Sequence, residues 1–245
     1  MKRGLQLLLM LCVFMLGTQI SFAAGLIGGT GVSDERIYDG DSILKVKTLA
    51  VADSIYNGPT TAGEPEIDDL PDILMAGTLA DKKNVLTYVS YRDVCQNIKM
   101  SSHIDILRLE RRKAMAEYRS AISSYADAYV VTTVSNGTNM NDGTRLNVFF
   151  DVYDARTNKV IYAYRKLAPK SAVRDAVLYT EIARDFFSDF LKVQERVQED
   201  KEKEAKAVLK LEKDAAKKAA KEAKEAKEAK EAERAVQEEQ KTAAK

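Results

Sequence analysis

Residues 145–166 read RLNVFFDVYDARTNKVIYAYRK. In this stretch Leu146, Val148, Phe150 and Val152 alternate with Asn147, Phe149, Asp151 and Tyr153. A period of two puts the first set on one face of a strand and the second on the other. ARTNK (155–159) supplies turn residues, and VIYAYRK (160–166) is again apolar and β-prone. The stretch therefore predicts an antiparallel hairpin with one apolar face that needs a layer to cover it.

Moving towards the N-terminus, AYVVTTVS (128–135) predicts another strand. NGTNMNDGT (136–144) predicts a turn, because Asn-Gly and Asp-Gly tolerate positive φ. Its Asn136 also opens a glycosylation-type Asn-Gly-Thr, which reads here as a turn element. Ile104, Leu107, Ala114, Met115, Tyr118, Ile122 and Tyr125 recur at helical spacing and predict one helix from about 102 to 125. VLTYVSY (85–91) reads as a strand, and Pro71 suits the first turn of a helix running to about 83. ILKVKTLAVA (43–52) reads as the first strand. Towards the C-terminus, Pro169 and Ser171 open a helix whose apolar face is Val173, Val177, Ile182, Phe186, Phe187, Phe190 and Leu191. The order β-α-β-α-β-β-β-α predicts an α/β (α+β) domain. Its mixed sheet of about five strands carries helices packed on it, and a long charged helix follows.

The ends of the chain predict an address and a spacer. Lys2 and Arg3 precede an apolar run, Leu5 to Leu16, and small residues place a cut between Ala23 and Ala24. That layout predicts a Sec-type signal peptide over 1–23 and an exported, periplasmic or secreted protein. The run is too short to span a bilayer, so no transmembrane segment is expected in the mature chain. Removing Lys2 and Arg3 takes the formal charge from +1 to −1, which gives no reason to expect a nucleic-acid partner. GLIGGTGVSDERIYDG (25–40) resembles the opening glycine loop of the purine nucleoside phosphorylase family. A phosphate loop needs a buried strand before it, and here only the signal peptide precedes. Residues 24–41 therefore read as a flexible Gly-rich leader, 42–197 as the globular domain and 198–245 as a Lys/Glu/Ala-rich tail. Cys12 sits inside the apolar run, so no lipid anchor is expected, and Cys95 reads as a small buried hydrophobe.

The pattern of 42–195 resembles the periplasmic α/β domain of the TolB N-terminal, CsgG and LpoB type. The residues that carry the likeness are ILKVKTLAVAD, YVSYRD, SYADAYVVTTVSNG, NVFFDVYDARTNKVIYAYR and AVRDAVLYTEIARDFFSDFL. The resemblance implies an envelope protein that works through a partner, and it brings no site residues with it. The tail is similar in composition to the helical spacer of TolA. Its Lys-Glu-Ala repeat winds the alanines around the helix and gives no coiled-coil seam. No Gly or Pro interrupts the chain from Ser171 onwards, so one continuous helix is expected through Val197 and into the tail.

Few residues suggest chemistry. His103 is the single histidine, which disfavours His-ligated zinc and most Ser–His or Cys–His catalysis. Asp68, Asp69 and Asp72 read as helix N-terminal charges, and no metal or cofactor is expected from them. On one helix Arg108, Arg112 and Arg119 would line a single flank and offer guanidinium groups to a partner. Arg111 would point into the apolar arc, where it either snorkels or pairs with a buried acid. The expected function is a non-enzymatic, exported envelope module that binds or regulates a protein partner. One alternative is a binder of anionic cell-wall polymer or lipid headgroups through its Arg- and Lys-rich helices, with Lys206–Lys221 contributing. Another is an enzyme built from carboxylates, Arg and Tyr.

Overall fold

A computed structural model describes residues 32–58, 60, 63–139, 143–168 and 173–243, with side chains left undescribed at Val32, 137–145 and beyond Lys213. The expected signal peptide, most of the expected leader, the expected start of the last helix at Pro169 and Ser171, and the tail side chains after Lys213 lie outside the described residues. The chain divides into two compact units, Met1–Gln194 and Glu195–Lys245.

The hairpin forms as its alternation requires. Strand β6 (Gly143–Asp154) pairs antiparallel with β7 (Val160–Leu167) and, on its other side, with β5 (Ala128–Asn139). Asp154 builds the turn: its Oδ1 accepts from the Thr157 amide at 2.7 Å and the Arg156 amide at 3.1 Å. Beyond β5 the sheet turns parallel, with β2 (Thr48–Val51) beside β5 and β4 (Thr87–Val89) beside β2. The order is β1-β7-β6-β5-β2-β4, and β3 (Ile55–Asn57) continues the β2 side of β5. The α/β class and mixed sheet stand as expected, with seven strands where about five were foreseen.

Of the extra strands, β1 corrects the N-terminal expectation, as does a short helix after it. Residues 32–37 are not leader: Val32–Ile37 forms β1, an antiparallel edge strand on β7. Its six residues alternate with polar partners and carry little apolar signal of their own, so only the register with β7 reveals them. Residues 43–45 are not strand either. Gly40–Lys45 is helix α1, because the Asp39 carboxylate accepts from the Ser42 amide at 3.0 Å and caps it. The expected turn at Asn136 is strand instead, and Asn136 is buried within β5.

The long helix expected over 102–125 does not form: within that range only Arg111–Ala121 is α-helix, and a separate helix ends where the range begins, at Ser102. Helix α3 (Tyr91–Ser102) begins at Ser90, whose Oγ accepts from the Asp93 amide at 3.1 Å, so the second strand stops at Val89. It ends at His103, which adopts φ 61 and turns the chain out of the helix. Helix α4 (Arg111–Ala121) follows a short 3₁₀ turn, Ile106–Arg108. Val94, Cys95, Ile98, Ala114 and Tyr118 of these two helices, with Ile122 just after the second, pack on Ala50, Ala52, Tyr129 and Val131 of the sheet. Cys95 is buried and free, as its sequence reading held.

The opposite face receives α2 (Leu70–Met75) and the first part of α5 (Ala176–Ala243). Leu146, Val148, Phe150 and Val152 are all buried there. Phe186 of α5 stacks on Phe150 with centroids 4.4 Å apart, and Phe190 lies 5.4 Å from Tyr162. The 3₁₀ turn after α2 comes so close to α5 that a Cβ on Gly77 would stand 2.5 Å from that of Ala183. Gln194 closes this unit by donating to the carbonyls of Ile43 and Val46 at 3.0 and 3.1 Å. Val173 and Val177 do not join the apolar face: both are exposed, because the helix begins only at Ala176 and meets the sheet from Tyr179 onwards. In the second unit Val208, Leu209 and Leu211 are exposed, and Lys203 pairs with Asp200 at 3.2 Å.

One buried polar knot ties the loop after β3 to β5 and to the start of α5. The Glu64 side chain has no exposed surface and lies 3.6 Å from Arg174 Nη1. Glu64 Oε1 accepts from the Tyr179 hydroxyl at 3.0 Å, and Oε2 accepts from Asn136 Nδ2 at 3.2 Å. Arg174 Nη1 in turn donates to Asn136 Oδ1 at 2.8 Å. Glu64→Ala leaves that guanidinium without its carboxylate in a dry setting and is expected to cost ~3–5 kcal/mol in urea unfolding. Phe186→Ala should cost a similar ~3–5 kcal/mol. Val177→Ala, on the exposed side of the same helix, should stay within about 0.5 kcal/mol.

Candidate functional site

Register and burial together single out one half of one sheet face. On the side that α3 and α4 occupy, those helices cover β4, β2 and β5 but not the antiparallel strands beyond. Across β1, β7, β6 and β5 one row reads Asp34, Arg165, Phe149, Thr133. The next row reads Arg36, Ala163, Asp151, Val131. Asp34, Arg36 and Arg165 are exposed, and Phe149, Asp151 and Ala163 are half-buried. Among the described residues nothing covers these strands on this side, whereas the alternate residues of β6 are all buried under α5.

The charges on this half-face are held by rings rather than by each other. The Arg165 guanidinium sits 5.4 Å from the Phe149 centroid and donates to Asn147 Oδ1 at 2.7 and 3.1 Å. Arg36 lies 5.1 Å over Tyr38, and Arg119 of α4 lies 5.6 Å over Tyr153 at the border of the covered region. Asp151 stands between Phe149 and Tyr153 along β6 and between Val131 and Ala163 across the sheet. Burial alone moves its acidity, pushing the carboxyl above the ordinary aspartate range. Among the described residues no donor or cation reaches it.

A second group sits past the carboxyl end of β2. The ladder breaks between Val51 and Ile55, and Asp53 occupies the break. Its Oδ2 lies 3.1 Å from Arg111 Nη2, and its Oδ1 accepts from the Ser54 amide at 2.9 Å. Of the two outcomes foreseen for Arg111, pairing with an acid is the one that forms. Burial pushes the Asp53 carboxyl up, and Arg111 opposes it. Nearby, burial pushes the Cys95 thiol up to about 11, which removes thiolate reactivity near neutral pH. Tyr91, Tyr118, Tyr129 and Tyr153 form a row with centroids 5.4, 6.0 and 5.1 Å apart. The row runs from this group to Arg119.

The three arginines singled out in the sequence do not form one stripe. Arg108 lies in the 3₁₀ turn before α4 and pairs with Asp105 at 3.4 Å. Arg112 and Arg119 are on α4, and only Arg119 borders the open half-face. Extended backbone at Leu109 and Glu110, with ψ 155 and 139, separates Arg108 from the other two, whereas a single helix was the premise of the alignment. Asp69 and Asp72 pair with Arg92 at 3.8 and 2.8 Å. Asp53 and Asp151 were missed. Asp151 carries a signal in the sequence, an acid on the polar side of a strand between Phe149 and Tyr153, but its isolation depends on Val131 and Ala163 across the sheet. Among the described residues no group of three or more His, Cys, Asp or Glu is placed to hold a metal ion, and no helix is long and apolar enough to cross a membrane.

No protein-family model matches the chain, and no curated protein matches it. Among solved structures it is similar to the PelC dodecamer from Paraburkholderia phytofirmans, at 14% identity over 65% of this chain and 97% of that one, with a TM-score of 0.34. It is also similar to the LpoB C-terminal domain from Escherichia coli, at 14% identity over 51% of this chain and 84% of that one, with a TM-score of 0.32. A third is the lipoprotein GNA1162 from Neisseria meningitidis, at 14% identity over 56% and 92%, with a TM-score of 0.29. At these identities and TM-scores the likenesses assign the chain to no family.

The isolated carboxylate has a sign that can be measured. Because its folded acidity is weakened relative to the unfolded chain, Asp151 favours folding when protonated, and that contribution is lost as pH rises through its folded pKa. Asp151→Asn should therefore raise the melting temperature of the monomer, measured by dilute scanning at neutral pH, and the gain should vanish in acid below the unfolded aspartate pKa.

Proposed function

We propose that the protein is an exported module of the cell envelope that binds another protein through the open half of its sheet and catalyses no reaction. The observation that carries this reading is the uncovered half-face itself. A sheet face normally meets a second layer, and this one offers Phe149, Ala163 and Leu167 among charges anchored on rings. Charges set around a modest apolar centre match the makeup of non-obligate protein interfaces. The basic start, apolar run and small-residue cut of 1–23 support export. The pattern resemblance of 42–195 to periplasmic α/β domains supports the envelope as the setting.

A photo-crosslinking residue at Ala163, compared with one at exposed Lys159 in the hairpin turn, tests the reading in intact cells. Discrete protein adducts are expected at 163 and not at 159. Absence of adducts at 163, or the same adducts at both positions, overturns it.

A further inference from the structure

Within the proposed protein-binding role, and resting on it, we propose that the occupant of the open half-face is a second copy of this chain, docked so that Arg165 of each copy reaches Asp151 of the other. Asp151 is half-buried on a sheet, and among the described residues no cation of its own chain reaches it. Covering it with an apolar or acidic surface would strip its remaining water without compensation, so whatever covers it must bring a positive group. Arg165 and Arg36 lie on the same face, and among the described residues neither pairs with a carboxylate: their anchors are Phe149 with Asn147, and Tyr38.

The layout of the two rows makes the patch self-complementary. An isologous contact requires that if residue i meets residue j, then j meets i. Place a two-fold axis across the strands, between the row Asp34, Arg165, Phe149 and the row Arg36, Ala163, Asp151. Asp34 then faces Arg36 of the second copy, and Arg36 faces its Asp34. Arg165 of the second copy falls over Ala163, whose side chain ends at Cβ, and so lies beside Asp151. Phe149 of the second copy falls over Asp151 itself, so the Asp34–Arg36 pairs are direct and the Arg165–Asp151 pairs run diagonally to the neighbouring strand, and each pair forms twice. Facing sheets pack ~10 Å apart, a gap that an arginine and an aspartate bridge together. Tyr38, half exposed at 53%, and Leu167 border the patch and supply apolar cover for these pairs.

Sedimentation velocity of the purified full chain over a range of concentrations tests this. A reversible dimer is expected. Asp151→Asn, which keeps size and removes charge, should weaken it by about tenfold or more while circular dichroism stays unchanged. Asp151→Arg and Arg165→Glu should each give monomer, and the double variant, which exchanges the two charges, should recover the dimer. A wild-type monomer at every concentration overturns the proposal, as does a dimer that withstands all three single substitutions. A monomer whose residue 163 still crosslinks to a different protein overturns self-association alone and leaves the protein-binding role standing.

Discussion

The ring stack between Phe150 of β6 and Phe186 of α5, 4.4 Å apart, fixes where the last helix crosses the sheet. Phe187 and Phe190 then reach Tyr88 and Tyr162, at 5.3 and 5.4 Å, so a single helix spans strands from both the parallel and the antiparallel parts. A helix held by large rings at that spacing has little freedom to slide. With one face closed in this way, the position of α3 and α4 determines how much of the other face stays open. They follow β4 and return the chain to β5, so they lie over the parallel strands. The antiparallel strands receive no such cover, because hairpins need no crossover helix. The open half-face is thus a product of topology, and its chemistry is a product of which residues the hairpin puts there.

How much of this could be read in the sequence depends on how local each signal is. The hairpin of 145–166 is legible because its alternation and its Asp154 turn lie within one short stretch. The buried face of α5 is legible from Ile182, Phe186, Phe187 and Phe190 for the same reason. Strand β1 is not, because Ser33, Asp34, Glu35 and Arg36 read as surface until β7 is beside them. Helix α3 was hidden by its first residue. Tyr91 completes a β-prone run, and only the Ser90–Asp93 cap, set against Val94, Cys95 and Ile98, shows that the strand has ended. The site was the least legible part. Arg119 was named for the right neighbourhood but with the wrong companions, since the extended backbone at Leu109 and Glu110, which sets Arg108 apart, cannot be read from the identity of those residues. The isolation of Asp151 is a property of three strands at once.

The polar knot around Glu64 and the pair Asp53–Arg111 show two different uses of charge. Glu64 is sealed among Arg174, Tyr179 and Asn136, and it joins segments far apart in sequence. Such a knot specifies one arrangement of its loop more than it adds stability, because its desolvation is costly. Asp53 instead keeps a partly exposed guanidinium as its partner, at the point where the β2 ladder breaks. One holds the scaffold and the other marks the break between β2 and β3.

Both borders of the sheet are poor templates for a further strand. β4 is three residues long, and β1 carries Asp34, Glu35 and Arg36 in its middle. Short or charged borders deter the backbone-to-backbone stacking that drives fibre growth. This chain can therefore present a wide bare sheet surface while offering no long, uncharged border on which amyloid ladders could grow.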